Sequence, residues 1–205
     1  MANTSKIAGF RVVKHTSGAP YNGQANIYYV ASAADEILVG DVVKLGGSAD
    51  ANGIATVDLA GATDVPVGIV VGLVNPKLDP AGKLSTGSMV LDIPQASQIA
   101  ASAAGYVLVA DSPNVVMEVE ANTGGTALAA VDVGLNVKHA NAARTSATTT
   151  SPATIDTAVA PATTSTYNFR LLGFAQRIDN EIGASAKVLV GFNVHQFGSV
   201  GTTGV

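Results

Sequence analysis

Three histidines, His15, His139 and His195, are the first residues to weigh for metal or acid–base chemistry. Their separations fit no metal-ligand spacing, so they read as surface or interface side chains. Asp50-Ala51-Asn52-Gly53 resembles the middle of a calcium loop. A full loop needs an acid two residues earlier and a Glu six beyond the glycine, and those places hold Ser48 and Leu59. The stretch therefore reads as a hairpin turn. Gly198, Gly201 and Gly204 are spaced like a glycine loop, but no Lys-Ser or Lys-Thr pair follows. A phosphate cradle also needs a helix N-terminus behind it. Asp179 and Glu181 lie together in one turn. Catalytic carboxylate pairs instead face each other across a cleft from different strands. The chain has no cysteine and no G-x-S-x-G elbow. These residues point away from an enzyme and call for no cofactor and no metal.

The elements that carry these residues are strands. Leu38–Gly72 reads as strand, turn, strand, turn, strand. Val42–Leu45 is a short apolar run behind a Gly40–Asp41 corner. Gly46–Gly53 is turn chemistry, because Gly and Asn tolerate positive φ. Ile54–Leu59 alternates, with Ala55, Val57 and Leu59 on one face. Val67–Val71 is almost wholly apolar, the mark of a strand covered on both faces. Further strands are expected at Phe10–His15, Asn26–Val30, Ser88–Ile93, Tyr106–Ala110, Val115–Glu120, Val133–Val137, Tyr167–Phe174 and Lys187–His195. Asn75–Gly87 reads as a long loop. Gln95–Ala104 has fair helix propensity and could equally be a β-edge, Ala31–Glu36 could be a helical turn or a loop, and Thr126–Asp132 could hold a short helical turn. About nine or ten strands at intervals of roughly ten residues predict an all-β fold, a β-sandwich or β-barrel-like module. The chain reads as a single module over 1–205, with long loops and extended termini. VGDVVKL…VGIVVG faintly echoes VDVGLNV…LLGFAQ, too faintly to predict a repeat. His139–Thr166 is a Thr/Ala-rich excursion, read as an extended surface segment or as an arm toward a neighbouring subunit.

Composition narrows the function. A net charge of −4 and a pI near 5.2, with the eleven Lys and Arg scattered, argue against a nucleic-acid surface. Ile99–Ala110, the longest nearly apolar run, is about half the ~20 residues that span a bilayer, so no membrane partner is expected. Met1–Phe10 lacks the apolar core of a signal peptide, which suggests synthesis in the cytoplasm. Aromatics make up 5% of residues while mean hydropathy is +0.34, so the apolar content is mostly Ala and Val. Small side chains contribute less each on burial, and surplus apolar surface is expected to be covered by self-association.

Five segments together carry a resemblance. They are SGAPYNGQANIYYV (17–30), LVGDVVKLGGSADANGIATV (38–57), VADSPNVVMEVE (109–120), ALAAVDVGLNV (127–137) and LLGFAQRIDNEIGASAKVLVGFNVHQ (171–196). The chain resembles the capsid cement, or head decoration, proteins of tailed bacteriophages. The resemblance implies a virion structural protein on the outside of the capsid. It would bind the major capsid protein, bridge neighbouring capsid subunits and associate with itself as a homotrimer. The alternative is a tail-associated or carbohydrate-binding virion module, which would need a cluster of exposed aromatics. With five Tyr and five Phe, mostly inside strand patterns, such a cluster is not foreseen. Candidate partner-interface residues lie in the N-terminal segment (Ile7, Phe10, Arg11), the Thr-rich excursion (Thr149, Ile155) and the C-terminal tail (His195, Phe197, Val205). Met1–Arg11 and Gln196–Val205 are expected to leave the core and order only against neighbouring chains.

Overall fold

The structure, a computed structural model, describes residues 3–32, 36–74, 98–144, 149–198, 201 and 204. Its first half forms β1 (Arg11–His15), β2 (Asn26–Val30), β3 (Ile37–Leu38), β4 (Val42–Ala49), β5 (Ala55–Leu59), β6 (Gly68–Val74) and β7 (Gln98–Ile99). The second forms β8 (Gly105–Ala110), β9 (Val115–Glu120), β10 (Asn136–Val137), β11 (His139–Asn141), β12 (Ala153–Ile155), β13 (Phe169–Phe174) and β14 (Lys187–Phe192). The fold is all-β, as expected. Among the described residues the helical content is one 3-10 turn, Ala130–Asp132, inside the stretch where a helical turn was foreseen. Gln98–Ile99, within the stretch read as helix or β-edge, pairs as β7 with β3. The expected loop Asn75–Gly87 and strand Ser88–Ile93 lie outside the described residues.

Strands β2-β5-β4-β6-β8 close into a barrel. β2 and β5 seal it with a parallel pair, Tyr29 opposite Thr56. The continuous apolar run in β6 now has its reason. Val70 points into the barrel with Val43, Val57, Val107 and Val109. Ile69, one residue earlier, points out into a second core with Val42 and Ala110. Alternation thus divides one strand between two cores.

The rest of the chain repeats this strand order without closing as one sheet. β9 stands for β2, β10 and β11 for β4, β12 for β5, β13 for β6 and β14 for β8. The registers agree. Val42 and Val43 oppose Ile69 and Gly68, as Asn136 and Val137 oppose Arg170 and Phe169. Val70 opposes Val109, the register slips, and Gly72 opposes Leu108. Leu171 opposes Val190, the register slips, and Gly173 opposes Leu189. Tyr28 opposes Val107 as Val119 opposes Val188. Even the parallel seal recurs, as a bridge between Ala121 and Ile155. The corner before β4 is Gly40 at φ 95°, whose N–H donates to Val70 O at 2.8 Å; before β10 it is Gly134 at φ 97°, donating to Leu171 O at 2.8 Å. The interior side chains correspond as well: Val137, Ile155, Leu171, Val188 and Val190 fill the second unit. The chain thus contains two sets of corresponding strands, joined through one buried cluster, and the faint echo marks corresponding strand pairs.

The second unit departs from the first at its seam. β1 pairs with the free edge of β9, Arg11 opposite Glu118 and Val12 opposite Met117. The resulting sheet runs β1-β9-β14-β13-β10, with β11-β12 as a separate hairpin. Phe10, just before β1, enters the core and stacks on Phe169 at 4.8 Å between centroids. Its entry requires a close crossing: Phe10 N–H donates to Gly40 O at 2.8 Å, and a Cβ on Gly9 would strike that carbonyl and Ser151.

Two expectations change here. The Thr/Ala-rich excursion is a surface segment only in part: Ala142, Thr149, Thr150 and Thr163 are exposed, whereas its paired residues are not. Its residues form the hairpin corresponding to β4–β5, and His139, Ser151, Ala153 and Ile155 are fully buried. The small Ala and Thr side chains that look like low complexity are what the junction between units accommodates. The termini are irregular, yet they dock on their own chain. Asn3 Nδ2 donates to Glu181 O and Ala184 O at 2.8 and 2.9 Å, and Ser5 Oγ donates to Glu120. At the other end, Gln196 N–H donates to Pro66 O at 2.9 Å and Gly204 N–H to Thr163 O at 3.2 Å.

Candidate interaction surface

The sites foreseen from sequence divide by burial. Phe10 is 3% exposed, Ile155 0% and His195 3%, so these side chains are spent on the chain's own core. Ile7, Arg11, Thr149 and Phe197 face solvent, and Val205 lies outside the described residues. The structure brings Ile7, Phe10 and Arg11 together on one strap, while Thr149 belongs to the excursion.

His195 and Phe197 end a row of rings that starts in the core. Phe169 packs on Phe192 at 5.4 Å, Phe192 meets His195 edge-on at 4.7 Å, and His195 meets Phe197 at 6.1 Å. His195 Nδ1 accepts the Phe197 N–H at 3.1 Å, which places its proton on Nε2. Burial pushes its imidazole below the usual range. Burial does the same to His139, whose Nε2 lies 2.9 Å from Ala60 O across the junction.

Sequence reasoning missed the polar heart of that junction. Asp41, with no exposed surface, accepts two hydrogen bonds from Arg144, at 2.5 Å from NH1 and 2.9 Å from NH2. It also accepts from Leu38 N–H at 2.7 Å and from Ser151 Oγ at 2.5 Å. Arg144 NH1 further donates to Glu36 O at 2.9 Å. A lone Asp after a glycine corner and a lone Arg in a Thr/Ala run carry no spacing signal, so only the fold unites them.

Asp50 closes the β4–β5 hairpin, as foreseen, by accepting from Asn52 N–H and Ile54 N–H, each at 2.8 Å. Tyr106 OH donates to its other oxygen at 2.6 Å. Partial burial and then the Asp50 hydrogen bond push the tyrosine hydroxyl up to about 12. On Asp50 partial burial acts upward, but these hydrogen bonds outweigh it and hold the carboxyl below its usual value. Among the described residues no group of His, Asp and Glu gathers as a metal site.

A groove of about 290 Å³ lies on the outer face of the second unit. The strap supplies one wall through Lys6, Ala8, Gly9 and Arg11. β9 contributes Glu118, Val119 and Glu120, the start of β14 contributes Lys187, and the turn after β13 adds Arg177 and Asp179. Arg177 pairs with Glu118 at 2.8 Å and Asp179 at 3.6 Å. Glu120, 4% exposed, accepts from Ser5 Oγ at 2.6 Å and Lys6 N–H at 2.8 Å. The groove holds charge of both signs, with no nucleophile and base in contact.

Compared with family models, curated proteins and solved structures, the chain matches none. The assignment of a role therefore rests on the residues themselves. Among the described residues no helix is long and apolar enough to cross a membrane. What the exterior offers is the groove and a scatter of aliphatic side chains, Val131 at 84% exposure and Ile178 at 100% foremost.

Proposed function

We propose that this chain is a virion structural protein, a cement protein on the outside of a tailed-phage capsid. It binds the major capsid protein and stabilises the shell by bridging neighbouring subunits as a homotrimer. One observation carries the reading: the ordered set of segments between residues 17 and 196 resembles that family along nearly the whole chain. The architecture suits the task. A bridge under load needs stiffness rather than moving parts, and two units sharing one core provide it. Binding the assembled lattice in preference to free subunits shifts the equilibrium toward the intact shell. Three copies acting together raise avidity well above a single contact. Exposed Val131, Leu172, Ile178 and Ile182 supply apolar surface for such contacts.

The test is to strip the protein from particles and measure their resistance to heat and to the pressure of packaged DNA. Stripped shells should fail earlier and recover on adding the protein back. Sedimentation of the free protein should report a trimer. Unchanged shell stability, or a monomer both at high concentration and on the shell, would overturn the reading.

A further inference from the structure

We propose that the groove beside the N-terminal strap is a docking site for a carboxylate-bearing segment of a partner protein, held by Lys6, Arg11 and Lys187. This goes beyond shell binding, which assigns no contact face, and it holds for a capsid subunit or any other protein partner.

The first argument is charge left over. Each acid in the groove is engaged, Glu118 and Asp179 by Arg177, Glu120 by Ser5 and the Lys6 amide. The side chains of Lys6, Arg11 and Lys187 make no hydrogen bond or ion pair with the described residues. Lys6, Arg11, Arg177 and Lys187 stand against Glu118, Glu120 and Asp179, so the groove carries a small positive excess on a chain whose net charge is −4.

The second argument comes from the duplication. The register places Tyr29 and Tyr106 in the first unit where Glu120 and Lys187 stand in the second, and Ile27 where Glu118 stands. Those tyrosines pack on each other at 5.2 Å. The barrel therefore folds without charge at these positions, while in the second unit Glu118 and Glu120 hold Arg177 and the strap and the Lys187 ammonium makes no ion pair with the described residues.

The third argument selects the ligand. Arg11 offers a planar fork that matches a carboxylate with two parallel hydrogen bonds. A doubly charged phosphate would meet three carboxylates in the same groove, whereas a singly charged carboxylate meets less repulsion. Ile7 and Ile178, 41% and 100% exposed, neighbour lining residues in the chain and leave apolar surface beside the groove, as protein segments use around a polar anchor.

The experiment uses the full chain and a fluorescein-labelled peptide of alternating glutamate and isoleucine, followed by anisotropy. Saturable binding that weakens with added salt is expected. The triple variant Lys6→Gln, Arg11→Gln, Lys187→Gln should lose roughly tenfold or more in affinity, as loss of charge-assisted hydrogen bonds requires. Lys14→Gln, a change outside the groove, should leave affinity unchanged. A Lys6→Arg, Lys187→Arg variant keeps the charge and should keep binding, which separates charge from folding. Absence of saturable binding, equal binding by the triple variant, or tighter binding of inorganic phosphate, phosphatidylserine vesicles or an oligonucleotide would overturn the proposal.

Discussion

At the scale of single residues, the junction between units concentrates the risk. Asp41 and Arg144 carry opposite charges into a place where their side chains are 0% and 10% exposed. Removing one partner strands the other, at a cost of about 3–5 kcal/mol. Arg144→Met should lower stability by that order in urea unfolding. Asp41 corresponds to Leu135 in the second unit, so the double variant Asp41→Leu, Arg144→Met should recover part of the loss. Recovery is limited because the Leu38 amide and Ser151 hydroxyl lose their acceptor. Phe10→Ala empties a ring site between Phe169 and His139 and should cost about 3–5 kcal/mol. Acid acts through other residues. Burial holds His139 and His195 below the ordinary imidazole value of 6.5. As pH falls below that value, the unfolded chain binds protons that the folded chain refuses. Their contribution is complete above about pH 6.5 and declines as pH falls through the folded-state values. The denaturant midpoint should drop between pH 7.5 and 5, and His139→Gln or His195→Gln should flatten the slope. A level profile in the wild type would refute this.

At the scale of elements, the strap is the least secured piece. Between Asn3 and Ala8 it is attached by polar contacts, and Thr4 to Ala8 are exposed. Each such hydrogen bond contributes about 0.5–1.5 kcal/mol. Deleting residues 1–7 should lower the thermal midpoint only modestly and leave the strand signal in circular dichroism. Deleting through Phe10 should destabilise far more, because it also removes the ring from the core. The sequence revealed the strands well: Val115–Glu120 and Asn26–Val30 are where alternation placed them. It misplaced what depends on long-range contact. Gly46–Ala49 reads as turn, yet β4 continues through it because β5 is there to pair, with a register slip between Leu45 and Ala49. Ile155 reads as part of a polar run, although it occupies the interior position that Val57 holds in the first unit. Of the groove, Arg11 was legible as a candidate interface residue of the N-terminal segment. Glu118, Arg177 and Lys187 were not, since three separate elements bring them together.

At the scale of the whole molecule, the two units do not behave as beads on a string. One buried cluster joins Val42, Ile69 and Ala110 of the first to Met117, Phe169 and Val188 of the second. A single cooperative unfolding transition is expected, coincident by circular dichroism and tyrosine fluorescence. Two separated transitions would show that the units unfold independently. The manner of joining has its own consequence. The first unit presents Val42, Ile69 and Ala60, while the second receives them with His139, Asn141 and Phe10. Different faces meet, so the same step could in principle be taken again, and a contact of this kind extends without limit unless it is blocked. The face that would accept a third unit carries Asn136, Arg170 and Ala162 in place of Val42, Ile69 and Ala60. Gly204 already lies against it, where any Cβ would strike Leu135, Asn136 and Ala162. The second unit thus wears Gly204 on the face that the first unit uses to hold its neighbour, which blocks a repeat of the same contact there.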